Sequence, residues 1–162
     1  MEIKMVMIEF VCSGNHGRSP MAETIARHYV SSLGIEDKIK IISSGSHVED
    51  GVDETKESAY KRETGYRTRV LGEIGLTYEG NVKQTVALDD VDVIFAMKEK
   101  NLLIVREIYA NNEHKPKIML LCENGIKDPF RGTEMDYRKA RNEIIVAVHE
   151  RIDEIVREYK FK

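Results

Sequence analysis

Cysteine, proline and uninterrupted hydrocarbon are all scarce in this sequence. Two of its 162 residues are cysteine, Cys12 and Cys122. That is too few for a disulfide framework, so a cytoplasmic setting is the default expectation. No apolar run is long enough to cross a bilayer. The opening residues include Glu2, Lys4 and Glu9 and read as a strand rather than a signal peptide. Excess positive charge is missing too: the formal net charge is −3, which leaves no footprint for nucleic acid. The histidines His16, His28, His47, His114 and His149 show no metal-ligand spacing, and neither a metal nor another cofactor is expected. Repeats, linkers and low-complexity tracts are absent. With 41% hydrophobic and 33% charged residues, residues 1–162 read as one globular domain with a single core.

What is present concentrates near the start. The apolar run at residues 5–11 has the look of a central parallel strand covered on both faces. It delivers Cys12 to the carboxyl edge of a sheet, and Ser13, Gly14, Asn15, His16 and Gly17 follow as a short loop. Arg18, Ser19 and Pro20 then open a helix, with Ser19 suited to its cap and Pro20 to its first turn. Ala22, Ile25, Ala26, Tyr29, Val30 and Leu33 recur at helical spacing, and Gly34 is placed to end it. A strand-to-helix turn of this kind binds ligands in open α/β sheets. Inward-turned amides and a helix N-terminus suit a phosphate or similar oxyanion. Arg18 adds a cationic fork matched to two of its oxygens. A cysteine at the floor of such a cup is held in an environment that favours thiolate.

Cys12, Gly14, Asn15, Arg18, Ser19, Pro20, Met21, Ala22 and Glu23, in that register, resemble the phosphate loop of the low-molecular-weight protein tyrosine phosphatases. Cysteine and arginine at this spacing alone would carry little; the longer string is far more specific. The resemblance implies a covalent, two-step phosphoryl transfer. Cys12 would be the nucleophile, Arg18 and the loop amides the clamp, and Asp128, in Asp128-Pro129-Phe130, the general acid. Asp-Pro is also a common turn, so this assignment rests on the resemblance. Phe130 would wall the entrance and Ser19 would donate to the Cys12 sulfur. By the same resemblance, Ser43 in Ser43-Ser44-Gly45-Ser46 would brace Asn15. A histidine that contacts the loop asparagine in the family is missing; its place falls on Asn81 or Gly80. Many members carry a second cysteine before the loop arginine. Gly17 stands there, so no reversible disulfide within the loop is expected.

The rest of the chain alternates strands and helices. Strands are expected at residues 38–43, 90–97 and 117–122, the last placing Cys122 as a buried small hydrophobe. A helix begins at Asn101. Another carries Tyr137, Ala140, Ile144, Val148, Ile152, Ile155 and Tyr159 as a core stripe rather than a cofactor site. Residues 47–69 are polar, with Glu49, Asp50 and Asp53 ahead of Lys61, Arg62, Arg67 and Arg69; they read as a solvated helix with a turn at Gly65. Tyr60 and Tyr66 have no assignable place in this reading. The fold expected is α/β, doubly wound, a four-stranded parallel sheet with helices on both faces, flavodoxin-like. The substrate expected is protein phosphotyrosine or a small aryl phosphate. Protein phosphoarginine is the alternative, and His16, at the entrance, leaves that choice open. Arsenate reduction lacks relay cysteines, since only Cys122 remains. A non-catalytic phosphate-binding module would not need all of Cys12, Arg18 and Asp128.

Overall fold

The computed structural model describes residues 5–48 and 54–161. Glu2, Lys4, Glu49, Asp50 and Asp53, singled out above, lie outside the described residues, as does the side chain of Tyr60. Eight elements alternate: β1 (Val6–Cys12), α1 (Arg18–Ser32), β2 (Ile39–Gly45), α2 (Glu54–Gly72), β3 (Val93–Ala96), α3 (Glu99–Ile108), β4 (Lys117–Leu120) and α4 (Glu134–Tyr159). The sheet order is β2-β1-β3-β4 with every neighbour parallel. This is the doubly wound α/β arrangement. The chain passes from β1 to β2 on one side and returns to β3 on the other. The carboxyl end of β1 is therefore the switch point, where such sheets open a crevice.

Each residue of β1 is buried, and alternation divides them between two cores. Val6, Ile8, Phe10 and Cys12 join the larger cluster with Met21, Ile25, Ile144 and Val148 of α1 and α4. Met7 and Val11 face the other way, with Ile94, Val105 and Tyr109. The even face thus carries Cys12 to the end of the strand beneath α1, while α3 covers the odd face. Gly34, at φ 69°, ends α1 by letting Ile35 N–H reach the Val30 carbonyl and its own N–H reach that of Ser31.

Several expectations need correction. Ser19 does not cap α1: the helix starts one residue earlier, Gly17 is the N-cap, and no side chain caps it. The Ser19 hydroxyl is committed to the loop instead, as described below. No turn occurs at Gly65, because α2 runs through it. One glycine costs a helix only about 1 kcal/mol. Nor is α2 a solvated helix, since Glu63, Arg67, Val70 and Leu71 on it are buried. Finally, β4 ends at Leu120, so Cys122 lies just past the strand, half-buried, with its Sγ 3.4 Å from the Gly125 carbonyl.

Candidate active site

The loop after β1 is shaped by hydrogen bonds aimed inward. Cys12 is 3% exposed. Its Sγ lies 2.9 Å from Ser19 Oγ and receives the Asn15 backbone N–H at 3.3 Å. Ser19 has one hydroxyl proton and two acceptors in reach, Cys12 Sγ and the Ser44 carbonyl at 3.2 Å. The contact to Cys12 is the shorter of the two, and either atom can be its donor.

Asn15 organises the bend. It is fully buried and sits at φ 57°, a left-handed conformation that asparagine tolerates better than most residues. Its Nδ2 donates to Ser19 Oγ at 2.8 Å and Ser43 Oγ at 3.0 Å, so both amide protons are used. Ser43 in turn donates to Glu23 Oε1 at 2.8 Å, tying the loop to α1. The Asn15 Oδ1 accepts from the Lys83 backbone N–H at 3.0 Å. Asn81, the residue expected to touch Asn15, is exposed two positions earlier. A main-chain donor takes the place that the sequence reading gave to a side chain.

Lys83 reaches the loop through Gly45. The Gly45 N–H donates to the Lys83 carbonyl, and Thr85 N–H donates back to the Gly45 carbonyl, both at 2.8 Å. A Cβ at Gly45 would lie 2.6 Å from the Ser13 carbonyl and 2.9 Å from the Asn15 nitrogen. Only glycine admits this approach of β2 to the loop. Ser13 is further held by its carbonyl, which accepts from His47 N–H at 2.9 Å, and by its hydroxyl, which accepts from Asn101 Nδ2 at 3.2 Å.

Arg18 opens α1 with its guanidinium buried at 2% exposure. Nη1 donates to the Ile126 carbonyl at 2.9 Å, which fixes the plane of the fork. Nη2 lies 3.2 Å from Asp128 Oδ2, and the Asp128 side chain is 46% exposed. Asp128 Oδ1 accepts from Phe130 N–H at 3.0 Å, a local turn that aims the carboxyl group. The loop bearing Asp128 follows β4 and so arrives at the same sheet edge as Cys12.

Between them is a pocket of about 150 Å³. Cys12, Ser13, Gly14, Gly17 and Arg18 contribute to its lining, with His16, His47, Phe130, Tyr137 and Asp128 around them. Burial, reinforced by the charge of Arg67, pushes the His16 imidazole below its ordinary pKa and keeps it neutral. Arg67, on α2, donates to the His16 carbonyl at 2.8 Å and stacks 4.6 Å over the Tyr78 ring. Burial, and next the neighbouring Glu63, hold the Tyr137 phenol well above its ordinary pKa, so it stays protonated.

The structure therefore brings together Cys12, Ser13, Gly14, His16, Gly17, Arg18, Asp128 and Phe130 around one cavity, with Asn15, Ser19 and Ser43 as its buried frame. It leaves Asn81 outside. The sequence reading missed Tyr137, Glu63, Arg67, His47 and Asn101. Two of these gave a signal: Tyr137 as one position of a helical stripe, equally that of a core residue, and Asn101 as the start of a helix. Among the described residues no cluster of three or more His, Cys, Asp or Glu side chains is arranged to hold a metal ion, and no helix is long and apolar enough to cross a membrane.

Comparison with known proteins identifies the family. The family model for low molecular weight phosphotyrosine protein phosphatase matches residues 7–160. The low molecular weight protein-tyrosine-phosphatase YfkJ of Bacillus subtilis is 30% identical over 138 residues, covering 78% of this chain and 81% of that protein. A low molecular weight phosphotyrosine protein phosphatase of Saccharomyces cerevisiae is 28% identical over 145 residues, covering 82% and 84%. Among solved structures, YfkJ superposes with a TM-score of 0.73 at 26% identity, covering 96% of this chain and 97% of that one. The YwlE arginine phosphatase of Geobacillus stearothermophilus gives a TM-score of 0.75 at 24% identity, with 94% of each chain covered, a likeness of fold alone. By sequence, by fold and by the loop that joins β1 to α1, the chain belongs to the low molecular weight phosphotyrosine protein phosphatase family.

Proposed function

We propose that the protein hydrolyses phosphotyrosine in proteins, and small aryl phosphates, through a phosphorylated Cys12. One observation carries this reading: Cys12 Sγ, the Arg18 guanidinium and the Asp128 carboxyl border the same small pocket, with Arg18 and Asp128 3.2 Å apart.

Chemistry follows from the positions. The Cys12 thiolate attacks phosphorus opposite the ester oxygen, and a sulfur–phosphorus bond forms as the phosphorus–oxygen bond breaks. Arg18 and the loop amides take up the charge on the three equatorial oxygens, and being fixed beforehand they need no reorganisation. Asp128, in its acid form, gives its proton to the departing phenoxide. The resulting carboxylate takes a proton from water, which attacks phosphorus and releases Cys12 as thiolate. The Ser19 hydroxyl stabilises the sulfur anion at the start and again at the end of the cycle.

The walls favour an aryl group. Phe130, Tyr137 and His16 contribute rings to the pocket lining. Among the described residues the lining holds no carboxylate besides Asp128, so a guanidinium head group would find no second anionic partner. Parallel assays on phosphotyrosine and phosphoarginine peptides test the choice. The expected result is turnover of phosphotyrosine with little of phosphoarginine, lost in Cys12→Ser. The reverse preference would overturn the substrate assignment, and undiminished turnover by Cys12→Ser would overturn the mechanism.

A further inference from the structure

The residue that carries Asp128 into place is not obvious from its own loop. Residues 127–130 lie outside the helices and strands. Asp128 is half exposed, and the loop turns at Arg131, a non-glycine residue at φ 65°. Such a conformation persists in a side-chain-bearing residue when something outside holds it. What holds it is Glu63, on α2. The Arg131 backbone N–H donates to Glu63 Oε1 at 2.6 Å, across 68 positions of sequence.

Glu63 is unusual for a glutamate. It has no exposed surface, and a carboxylate is costly to bury without partners. Its Oε1 is held from the acid loop, and its Oε2 has no hydrogen-bond partner among the described residues. Tyr137 of the pocket lining feels it as well: after burial, Glu63 is the next cause that holds the phenol above its ordinary pKa. Arg62 stands 3.7 Å from Oε1 on the solvent side. The mechanism gives Glu63 no chemical step. It touches neither sulfur nor phosphate, yet it fastens the far end of the loop whose near end bears the acid.

We propose that Glu63 is the positioning residue of the acid step: by holding the Arg131 N–H it fixes the turn that sets Asp128 over the pocket. The proposal rests on the reading of Asp128 as general acid. A loop freed at Arg131 leaves Asp128 tethered to its own turn and to Arg18 but loose in its distance from the leaving oxygen. Proton transfer is sensitive to that distance. The phosphate cup, built by Cys12, Asn15, Ser19 and Arg18, owes no hydrogen bond to Glu63 among those described.

The test compares two substrates by kcat/KM, which reports the step that breaks the ester. The dinitrophenoxide of 2,4-dinitrophenyl phosphate departs without a proton; the phenoxide of phenyl phosphate needs one. Asp128→Asn fixes the signature of a lost acid, a rise in the ratio of the two values by roughly a hundredfold. Glu63→Asp keeps the charge and withdraws it from Arg131. Its ratio rises roughly tenfold, with the faster substrate and inhibition by inorganic phosphate little changed. Glu63→Gln retains an acceptor oxygen and keeps the ratio within about threefold of wild type. A merely structural Glu63 would lower both substrates together, and that result, or an unchanged ratio in Glu63→Asp beside a raised one in Asp128→Asn, overturns the proposal alone. An unchanged ratio in Asp128→Asn overturns the acid reading and this proposal with it. A second measurement needs no variant: amide hydrogen exchange in the wild type. The Arg131 N–H is expected to exchange slowly, and exchange at the rate of an open loop would contradict the clamp.

Discussion

Asn15→Ala tests how the phosphate loop is held. Asn15 makes three side-chain hydrogen bonds, to Ser19 Oγ, to Ser43 Oγ and from the Lys83 N–H. The residue is fully buried, so water does not replace them. At about 1 kcal/mol net for each bond, truncation costs about 3 kcal/mol. The backbone adds a second cost. Asn15 sits at φ 57°, where alanine pays about 1 kcal/mol more than asparagine or glycine. Asn15→Ala should therefore lose about 4 kcal/mol of unfolding free energy and Asn15→Gly about 3 kcal/mol. Urea denaturation of the three proteins reads both figures. Activity should fall in both variants, because Ser19 loses a partner that orients its hydroxyl toward Cys12. A loss below about 1 kcal/mol in Asn15→Gly would refute the view that this network holds the loop, and equal losses in the two variants would refute the backbone argument.

Three further outcomes follow from other parts of the molecule. Glu9 is 2% exposed, and burial raises its carboxyl pKa although Ser44 and Lys83 oppose the shift. The folded state thus binds that proton more tightly than the unfolded chain, and stability falls as pH rises from the ordinary carboxyl range through the raised value. Glu9→Gln should raise the melting temperature near pH 7, with the gain shrinking toward pH 4; a gain that persists at the acid end would contradict this. Gly45→Ala forces backbone atoms apart at 2.6 and 2.9 Å and should reduce both stability and kcat, whereas Gly72→Ala, with open space at its Cβ, should leave kcat alone. Peroxide should inactivate the enzyme with no disulfide formed to protect Cys12, since Gly17 and not a cysteine stands beside Arg18; mass mapping that finds Cys12 bridged to Cys122, with activity restored by thiol, would contradict it.

The parts of this protein that could be read from its sequence are those where neighbours in sequence are neighbours in space. β1, its loop and α1 are consecutive, and their apolar spacing, glycines and Arg18 determine a local geometry. The place of Asp128 at the sheet edge is legible because Asp-Pro follows a strand; its role comes from the resemblance. The unread parts depend on distant approach. The Lys83 N–H is a backbone group and carries no mark in the sequence, whereas the side chain of Asn81 does. Glu63 and Arg67 look like the solvent face of a charged helix until the phosphate loop, α4 and the acid loop close over them. Tyr137 occupies a core position in α4, and its ring packs closely on Gly17 of the loop, where a Cβ would lie 3.3 Å away. Ser19 before Pro20 has the composition of a helix cap, yet its hydroxyl is drawn to sulfur because the helix has already begun.

The account stands on a phosphoryl group passing through Cys12. Asp128→Asn should slow release of that group as well as its arrival, because the same carboxyl group serves both steps. Rapid acid quench of Asp128→Asn during turnover of an aryl phosphate, followed by peptide mass spectrometry, should find the phosphoryl adduct on the peptide containing Cys12. An adduct on any other residue, or steady turnover in which Cys12 is never modified, would contradict it.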